Sequence, residues 1–335
     1  MKRTLIGFIA LTLVISAFAF RYQLSENAYS IARIDDPLAK GAFHIHTRKS
    51  HDGRQTETEV LQAAKMLGLD FVVITDHNLE RWSTENHDGL WVIRGPELSL
   101  DDGHTIRILN EGEGLDIVAH PGRPRRPRSQ PVTSESGVEL VNPTVTAEEL
   151  LYQAPLKFVL SLLTYIAEPQ SGLLSLLDVD RGALKLLKSQ KPLSLWCGVD
   201  AHGWLPPEQN LALWTLQLNV ASEELSEETM LQALKDGPTG CFTGLLSDGQ
   251  PIQVTRNENG AWVFSLKKEL AYSGSFRLYR GGELVATSSS RDFLYTPKFE
   301  GEFHIEYWVQ SRAIPFMSSP QLSAFKRLSL PKINP

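Results

Sequence analysis

The sequence predicts an α/β domain of parallel βα units, closed as a barrel, followed by a small all-β sandwich-like domain. Two observations predict the first part. Short apolar runs alternate with amphipathic helical stretches from residue 41 onward, and the number of these runs favours a barrel over a small open sheet. A third observation predicts the second part: after residue 248 the texture changes to alternating strands separated by turn pairs at roughly ten-residue spacing.

The elements follow in order. Residues 43–46 read as a strand. Residues 56–67 read as a helix, with Val60, Leu61, Ala64 and Leu67 on one face, Thr56 as the cap and Gly68 as the stop. Residues 70–75 form an apolar run suited to a buried strand. Further strands are expected at 90–93, 105–109, 116–119, 138–141 and 194–199. Between the last two, residues 146–191 are helical in character: 157–166 reads as a core helix and 173–187 as a second, leucine-rich one. Residues 226–235 give another helix, ended by Gly237-Pro238. Beyond it, strands at 261–264, 275–279 and 303–309 are punctuated by Asn259-Gly260, Ser273-Gly274, Gly281-Gly282 and Glu300-Gly301.

Composition sets outer bounds. The chain has 335 residues, 42% hydrophobic, enough for one large domain and a smaller one. A formal charge of −6 gives no general reason to expect nucleic acid as partner. The two cysteines, Cys197 and Cys241, make no disulfide scaffold; one bridge is open to them, but Cys197 reads first as a buried small hydrophobe. Lys2 and Arg3, the apolar run 5–16 and Ala17-Phe18-Ala19 have the form of a signal peptide over residues 1–19, cleaved after Ala19. An uncleaved anchor is the alternative, because 5–20 falls just short of the ~17–25 residues that usually span a bilayer. Both readings place the protein outside the cytoplasm, in the periplasm or beyond the cell.

The chemistry lies in the histidines. Six of the nine sit at or just after the ends of apolar runs: His44, His46 and His51, then His77, His120 and His202. Asp52, Asp76, Glu97 and Asp200 accompany them. His44 and His46 are two apart, so a strand presents both on one face. Imidazole and carboxylate delivered repeatedly at strand ends point to one polynuclear metal site. Nitrogen and oxygen donors suit zinc, manganese or iron better than a thiolate site would. His87 and His304 lack such company and read as structural.

The blocks His44-Ile45-His46-Thr47, Ser50-His51-Asp52-Gly53, Thr75-Asp76-His77, Gly95-Pro96-Glu97, His120-Pro121-Gly122 and Asp200-Ala201-His202 occur in this order. In this the chain resembles the PHP family, the polymerase and histidinol phosphatase domains, over roughly residues 41–245. The resemblance implies a distorted (β/α)7 barrel over 41–247 that binds two to three divalent ions at its strand ends, with the small β domain at 248–335, an arrangement similar to that of some exported members. It implies His44, His46, Glu97 and Asp200 around one ion. A second would be held by His77 and His120 with a ligand from the 50–53 loop, and Glu97 would bridge towards a third that His202 helps to bind. Both His51 and Asp52 stand where the commoner family pattern has Ser-Asp-Gly, so either is the ligand there. His104 reads equally as a third-metal ligand or as a strand-start residue bonded to backbone. Asp76 reads as a carboxylate that orients an imidazole.

The expected activity is hydrolysis of a phosphate mono- or diester by a metal-bound hydroxide, with His202, Asp76 and Arg123 in catalytic roles. Arg123, Arg125, Arg126 and Arg128 follow His120, and a guanidinium there can grip phosphate; a solvated basic loop, or one meeting anionic lipid headgroups, is the alternative. The partner is then a phosphorylated small-molecule or lipid-linked substrate, with peripheral membrane contact through residues 157–166 as a further option. The same metals also suit attack on a carboxyl ester, amide or carbamate, and a non-catalytic binding protein is the third reading. No protein partner can be inferred.

Overall fold

In the computed structural model, which describes residues 31–77, 79–80, 82–101, 103–108, 114–124, 137–189, 194–270, 273–297, 300–309 and 321–330, local signals act much as chemistry requires. Thr56 caps the helix Glu57–Met66 in a capping box: its hydroxyl accepts from the Glu59 N–H while the Glu59 carboxylate accepts from the Thr56 N–H. Prolines at the first turn open the helices Pro143–Gln153, Pro155–Ala167 and Pro169–Leu174, where a missing N–H costs nothing. The stretch expected as one helix over 173–187 is two. Asp180 interrupts it, its carboxylate accepting from the Gly182 and Ala183 N–H groups at 2.6 and 3.1 Å and so capping the helix Arg181–Ser189.

The architecture overturns the predicted barrel. The chain is mostly β, 40% strand against 26% helix, with seven helices and no closed barrel among the described residues. A mixed sheet of ten strands runs, in spatial order, β15 (Glu283–Ser288), β14 (Gly274–Arg280), β17 (Gly301–Val309), β18 (Gln321–Leu330), β11 (Gly240–Phe242), β10 (Thr215–Ala221), β1 (Leu38–Ile45), β2 (Phe71–Ile74), β4 (Leu90–Arg94) and β3 (Ser83–His87). A second sheet holds β5 (Glu97–Leu100), β6 (Gly103–Ile108), β7 (Leu115–Ala119), β8 (Gly137–Val141) and β9 (Ser194–Cys197). A third is β12 (Ile252–Arg256), β13 (Trp262–Leu266) and β16 (Phe293–Tyr295).

The physical reason is the connections. Among the described strands, parallel ladders are confined to β1–β2, β2–β4, β7–β8 and β8–β9. At β3–β4 and from β5 to β7, short connections stand where helical crossovers were expected and reverse the chain. Asp88 and Gly89, both with positive φ (54° and 92°), make the two-residue turn that pairs β3 with β4. β5, β6 and β7 form an antiparallel meander. Of the strands in 248–335, β18 pairs with β11, so that β17, β14 and β15 join the largest sheet, while β12, β13 and β16 form the third.

The two larger sheets meet over a shared core, with Phe43 of β1 against Trp196 of β9 at 4.9 Å between ring centres. Residues 198–201 stitch them: the Gly198 N–H donates to Val141 O, those of Val199 and Ala201 to Phe43 O and His44 O, and Ala201 O accepts from His46 N–H. A disulfide between Cys197 of β9 and Cys241 of β11 adds a covalent link across the same seam, so Cys197 is a bridge partner and not a free thiol. The apolar helix Pro155–Ala167, expected in the core, lies at the surface with Leu156, Val159, Leu162 and Ile166 exposed. No helix among the described residues is long and apolar enough to cross a membrane. The signal-like residues 1–19, and Arg125, Arg126 and Arg128, lie outside the described residues.

Because the bridge closes a separation of 44 residues, chain entropy assigns it up to about 4 kcal/mol. Urea unfolding with and without a reductant should show a loss of that order, reproduced by the double variant Cys197→Ala/Cys241→Ala. Identical midpoints in both conditions would contradict it.

Candidate metal centre

The site forms where the two sheets meet, and the backbone there is strained. Among the described residues, four non-glycine positions have positive φ, and three are His44 (70°), His120 (31°) and Asp200 (46°). Such conformations cost on the order of 1–3 kcal/mol each and persist only where the surroundings enforce them. At His44 the enforcement is visible: Phe43 pairs with Val73 and Ile45 with Ile74, so His44 is an extra residue in the β1–β2 ladder. His44 and His46 therefore converge through a bulge and not through plain strand alternation.

Glu97, at the start of β5, is the hub. It is 2% exposed, and its carboxylate meets five imidazoles. Oε1 lies 2.7 Å from His104 Nδ1 and 3.0 Å from His120 Nε2. Oε2 lies 3.2 Å from His44 Nε2, 3.0 Å from His46 Nε2 and 3.4 Å from His77 Nε2. Asp200 Oδ1 approaches His44 Nε2 at 3.3 Å, His46 Nε2 at 3.6 Å and His202 Nδ1 at 3.4 Å.

Several rings are held so that one nitrogen faces inward. His44 Nδ1–H donates to Glu139 Oε1 at 2.8 Å, His77 Nδ1–H to the Glu97 carbonyl at 3.1 Å and His202 Nδ1–H to the Asp200 carbonyl at 2.8 Å. Each bond leaves Nε2 with its lone pair for the centre, the usual outer-sphere device of metal-binding histidine.

The Ser50–Gly53 loop brings both of its candidates to the cluster, at different depths. Asp52 reaches inward, with Oδ2 at 3.2 Å from His202 Nε2 and 3.3 Å from His77 Nε2 and Oδ1 accepting from the Ser50 hydroxyl. The side chain of His51 is 70% exposed and stands at the rim, its ring centre 5.0 Å from that of His77 with the planes tilted by 36°. Asp76 bonds no imidazole; its oxygens accept from the N–H and hydroxyl of Thr47, both at 2.6 Å, so it orders the turn after His46. His104 lies inside the cluster. Arg123 faces the same cavity, but Glu148 holds its guanidinium at 2.9 and 3.2 Å.

Glu139 is the residue that sequence reasoning missed. It is buried at the middle of β8, where Oε1 takes the His44 bond and Oε2 accepts from the His120 N–H at 2.7 Å and from Asn142 at 2.9 Å. Only Gly198 fits beside it, because a Cβ at that position would collide with Glu139 Oε1. The available signal was a glutamate inside an otherwise apolar strand, Gly137-Val138-Glu139-Leu140-Val141.

Electrostatics follow from burial. On Glu97, burial opposes ionisation, but His44, His104 and His120 hold the carboxyl well below its usual range. On Asp200, burial is outweighed by His44 and His202. On Asp52, it is outweighed by hydrogen bonds from His202, His77 and Ser50. The reciprocal holds for the rings. Burial disfavours the charged form of His46, yet Asp200 and Glu97 push it up to about 9. His44, His77 and His120 are raised by neighbouring carboxylates in the same way.

These donors fit a divalent cation. Neither ring nitrogen of buried His46 makes a well-directed hydrogen bond, and Asp200 Oδ2 has no hydrogen-bond partner. Donor atoms at ~2.0–2.2 Å from a shared ion sit roughly 3.0–3.6 Å from one another, the spacing found here. Among the described residues, five triads bring their donor atoms within 4.8 Å of one another, close enough to share an ion: His44, Glu97 and His120; His44, His46 and Asp200; His46, His77 and Glu97; His46, Asp52 and His202; and His51, Asp52 and His77. His77 and His120, which the family resemblance implies on one ion, fall in different triads, and His202 groups with Asp52 instead of Glu97. No family model matches the chain, and no curated protein matches it in sequence.

In the metal-free chain the carboxylates favour the protonated forms of His44, His46, His77 and His120, and a cation must expel those protons to bind. Affinity should weaken about tenfold per unit of pH lowered for each proton displaced. Calorimetric titration with manganese or zinc near pH 7, in two non-chelating buffers of different ionisation enthalpy, should show net proton release. Heats independent of the buffer would contradict it.

Proposed function

We propose that this chain is an exported metal-dependent hydrolase, related to the PHP family through its six ordered motifs, that cleaves a phosphate mono- or diester. The observation that carries the reading is the Glu97 carboxylate meeting five imidazoles, with Asp200 and Asp52 alongside, in the wall of an open cavity of about 340 Å³. A buried donor set that reaches a cavity suits catalysis better than a closed structural site.

His44, His46, His77, His120, Glu97, Asp200 and Asp52 would hold two to three ions of zinc, manganese or iron, with His104 inside the cluster and His202 and His51 beside it. When bound, such ions make a water nucleophilic at neutral pH and neutralise phosphoryl charge. The chain's own residues supply the rest. His202 lines the cavity, and because its Nδ1–H is committed to the Asp200 carbonyl, Nε2, 3.2 Å from Asp52 Oδ2, is the nitrogen that would pass a proton to the leaving oxygen. Arg123 can take an anionic oxygen in exchange for Glu148, since its guanidinium keeps donors beyond that pair. Asp76 acts at one remove, through Thr47. The disulfide supports export, because such bonds persist in oxidising compartments.

Aryl phosphate mono- and diesters and an aryl carboxyl ester, offered to protein loaded with manganese or zinc, test this directly. Turnover of a phosphate ester, abolished by chelation and reduced about tenfold or more in kcat/KM by Arg123→Ala with metal content intact, is expected. Turnover of the carboxyl ester alone would transfer the same site to carbonyl chemistry. Inactivity on every substrate with metal bound would leave a binding protein.

A further inference from the structure

A second cavity, of about 530 Å³, opens beside the donor cluster, and the two share Glu148, Asp200 and His202 in their walls. Its chemistry is the opposite of the first. The helices Pro143–Gln153, Pro155–Ala167 and Pro169–Leu174 line it with Leu151, Phe158, Leu162 and Leu173, and Leu176 and Leu205 add to the wall. The volume lies within the range of small-molecule pockets, ~300–1,000 Å³. In its wall Gly172 lets two of these helices pack closely, since a Cβ there would collide with the Tyr165 backbone. Its mouth is apolar too: Leu151 and Leu162 are half exposed, and Trp204 is 71% exposed, held by the Arg54 guanidinium over its ring. Solvent-facing leucine and tryptophan at the rim of a pocket carry a cost in water that a bound apolar group removes.

We propose that this cavity is the subsite for the hydrocarbon part of the substrate, which is then an amphiphilic phosphate ester with its anionic head at the donor cluster and its chain between the helices. The proposal rests on the phosphoester reading above and adds the substrate class. Continuity decides the occupant: a molecule that spans the shared wall at Asp200 and His202 must be charged at one end and apolar at the other. A second protein or a purely apolar ligand satisfies only one of the two cavities.

The test uses the full chain loaded with manganese and titrated calorimetrically with methyl-, butyl- and octylphosphonate below their aggregation limits. Affinity should rise with chain length, by up to about fourfold for each methylene buried, the fold-change equivalent to ~0.8 kcal/mol. Leu162→Gln and Leu151→Gln, both at half-exposed positions, should flatten that dependence. Leu284→Gln, an equivalent exposed change on β15 in the C-terminal part of the sheet, should keep it. Affinity independent of chain length in the wild-type protein would overturn the proposal, as would 1-octanol binding as tightly as octylphosphonate. Failure of the phosphoester reading is separately visible. Chain-length dependence that persists in a protein unable to turn over any phosphate ester supports the amphiphile site and counts against catalysis alone.

Discussion

The buried negative charge around Glu97 is the constraint on which the rest of the structure depends. Glu97, Glu139 and Asp200 are all withdrawn from water within one cluster. Carboxylates so placed are untenable unless positive charge or strong hydrogen bonds balance them. Protons on the neighbouring imidazoles meet that need in the metal-free chain, and divalent ions meet it better because each brings two charges to the centre. Two sheets, a bulge and a disulfide converge on this point. They oblige His44, His120 and Asp200 to adopt left-handed backbone that the chain would otherwise avoid. Strain concentrated on the donors argues that their positions are set by what they hold.

The same constraint accounts for the outer layer. His44 would be free to rotate without Glu139, and residues 198–201 would not lie against it if Gly198 carried a side chain. Asp180 plays a comparable part for the turn after His120, accepting from the Gly122 N–H at 2.9 Å. Burial pushes its own carboxyl up to about 6, so this anchor is maintained against desolvation by its backbone donors. Around a polar centre of this density, the second layer is as specific as the first.

Much of the site was legible in the sequence, and the fold was less so. The side chains that come together, His44, His46, His77, Glu97, His120 and Asp200 with the His51-Asp52 pair, could be picked out because metal-binding chemistry uses few residue types and places them at strand ends. Glu139 could not, because a lone glutamate within an apolar strand is unreadable until its partners are known. The helix Glu57–Met66 was legible from its cap and its apolar period. The barrel was not, because apolar runs announce strands but not their direction. Asp88-Gly89 and the meander from β5 to β7 reverse the chain where helical crossovers were expected. Residues 157–166 misled for a related reason: apolar character signals a need for cover without saying whether the core or a ligand supplies it.

The most direct measurement is the metal stoichiometry of the purified chain beside that of Glu97→Gln, an isosteric change that removes the central charge. Element analysis should find at least two divalent ions per wild-type chain. The variant should hold one or none, while its circular dichroism stays that of the folded wild type. A folded variant that keeps the full complement, or a wild-type chain that binds no divalent ion at all, would contradict the account of Glu97 as the hub of a metal centre.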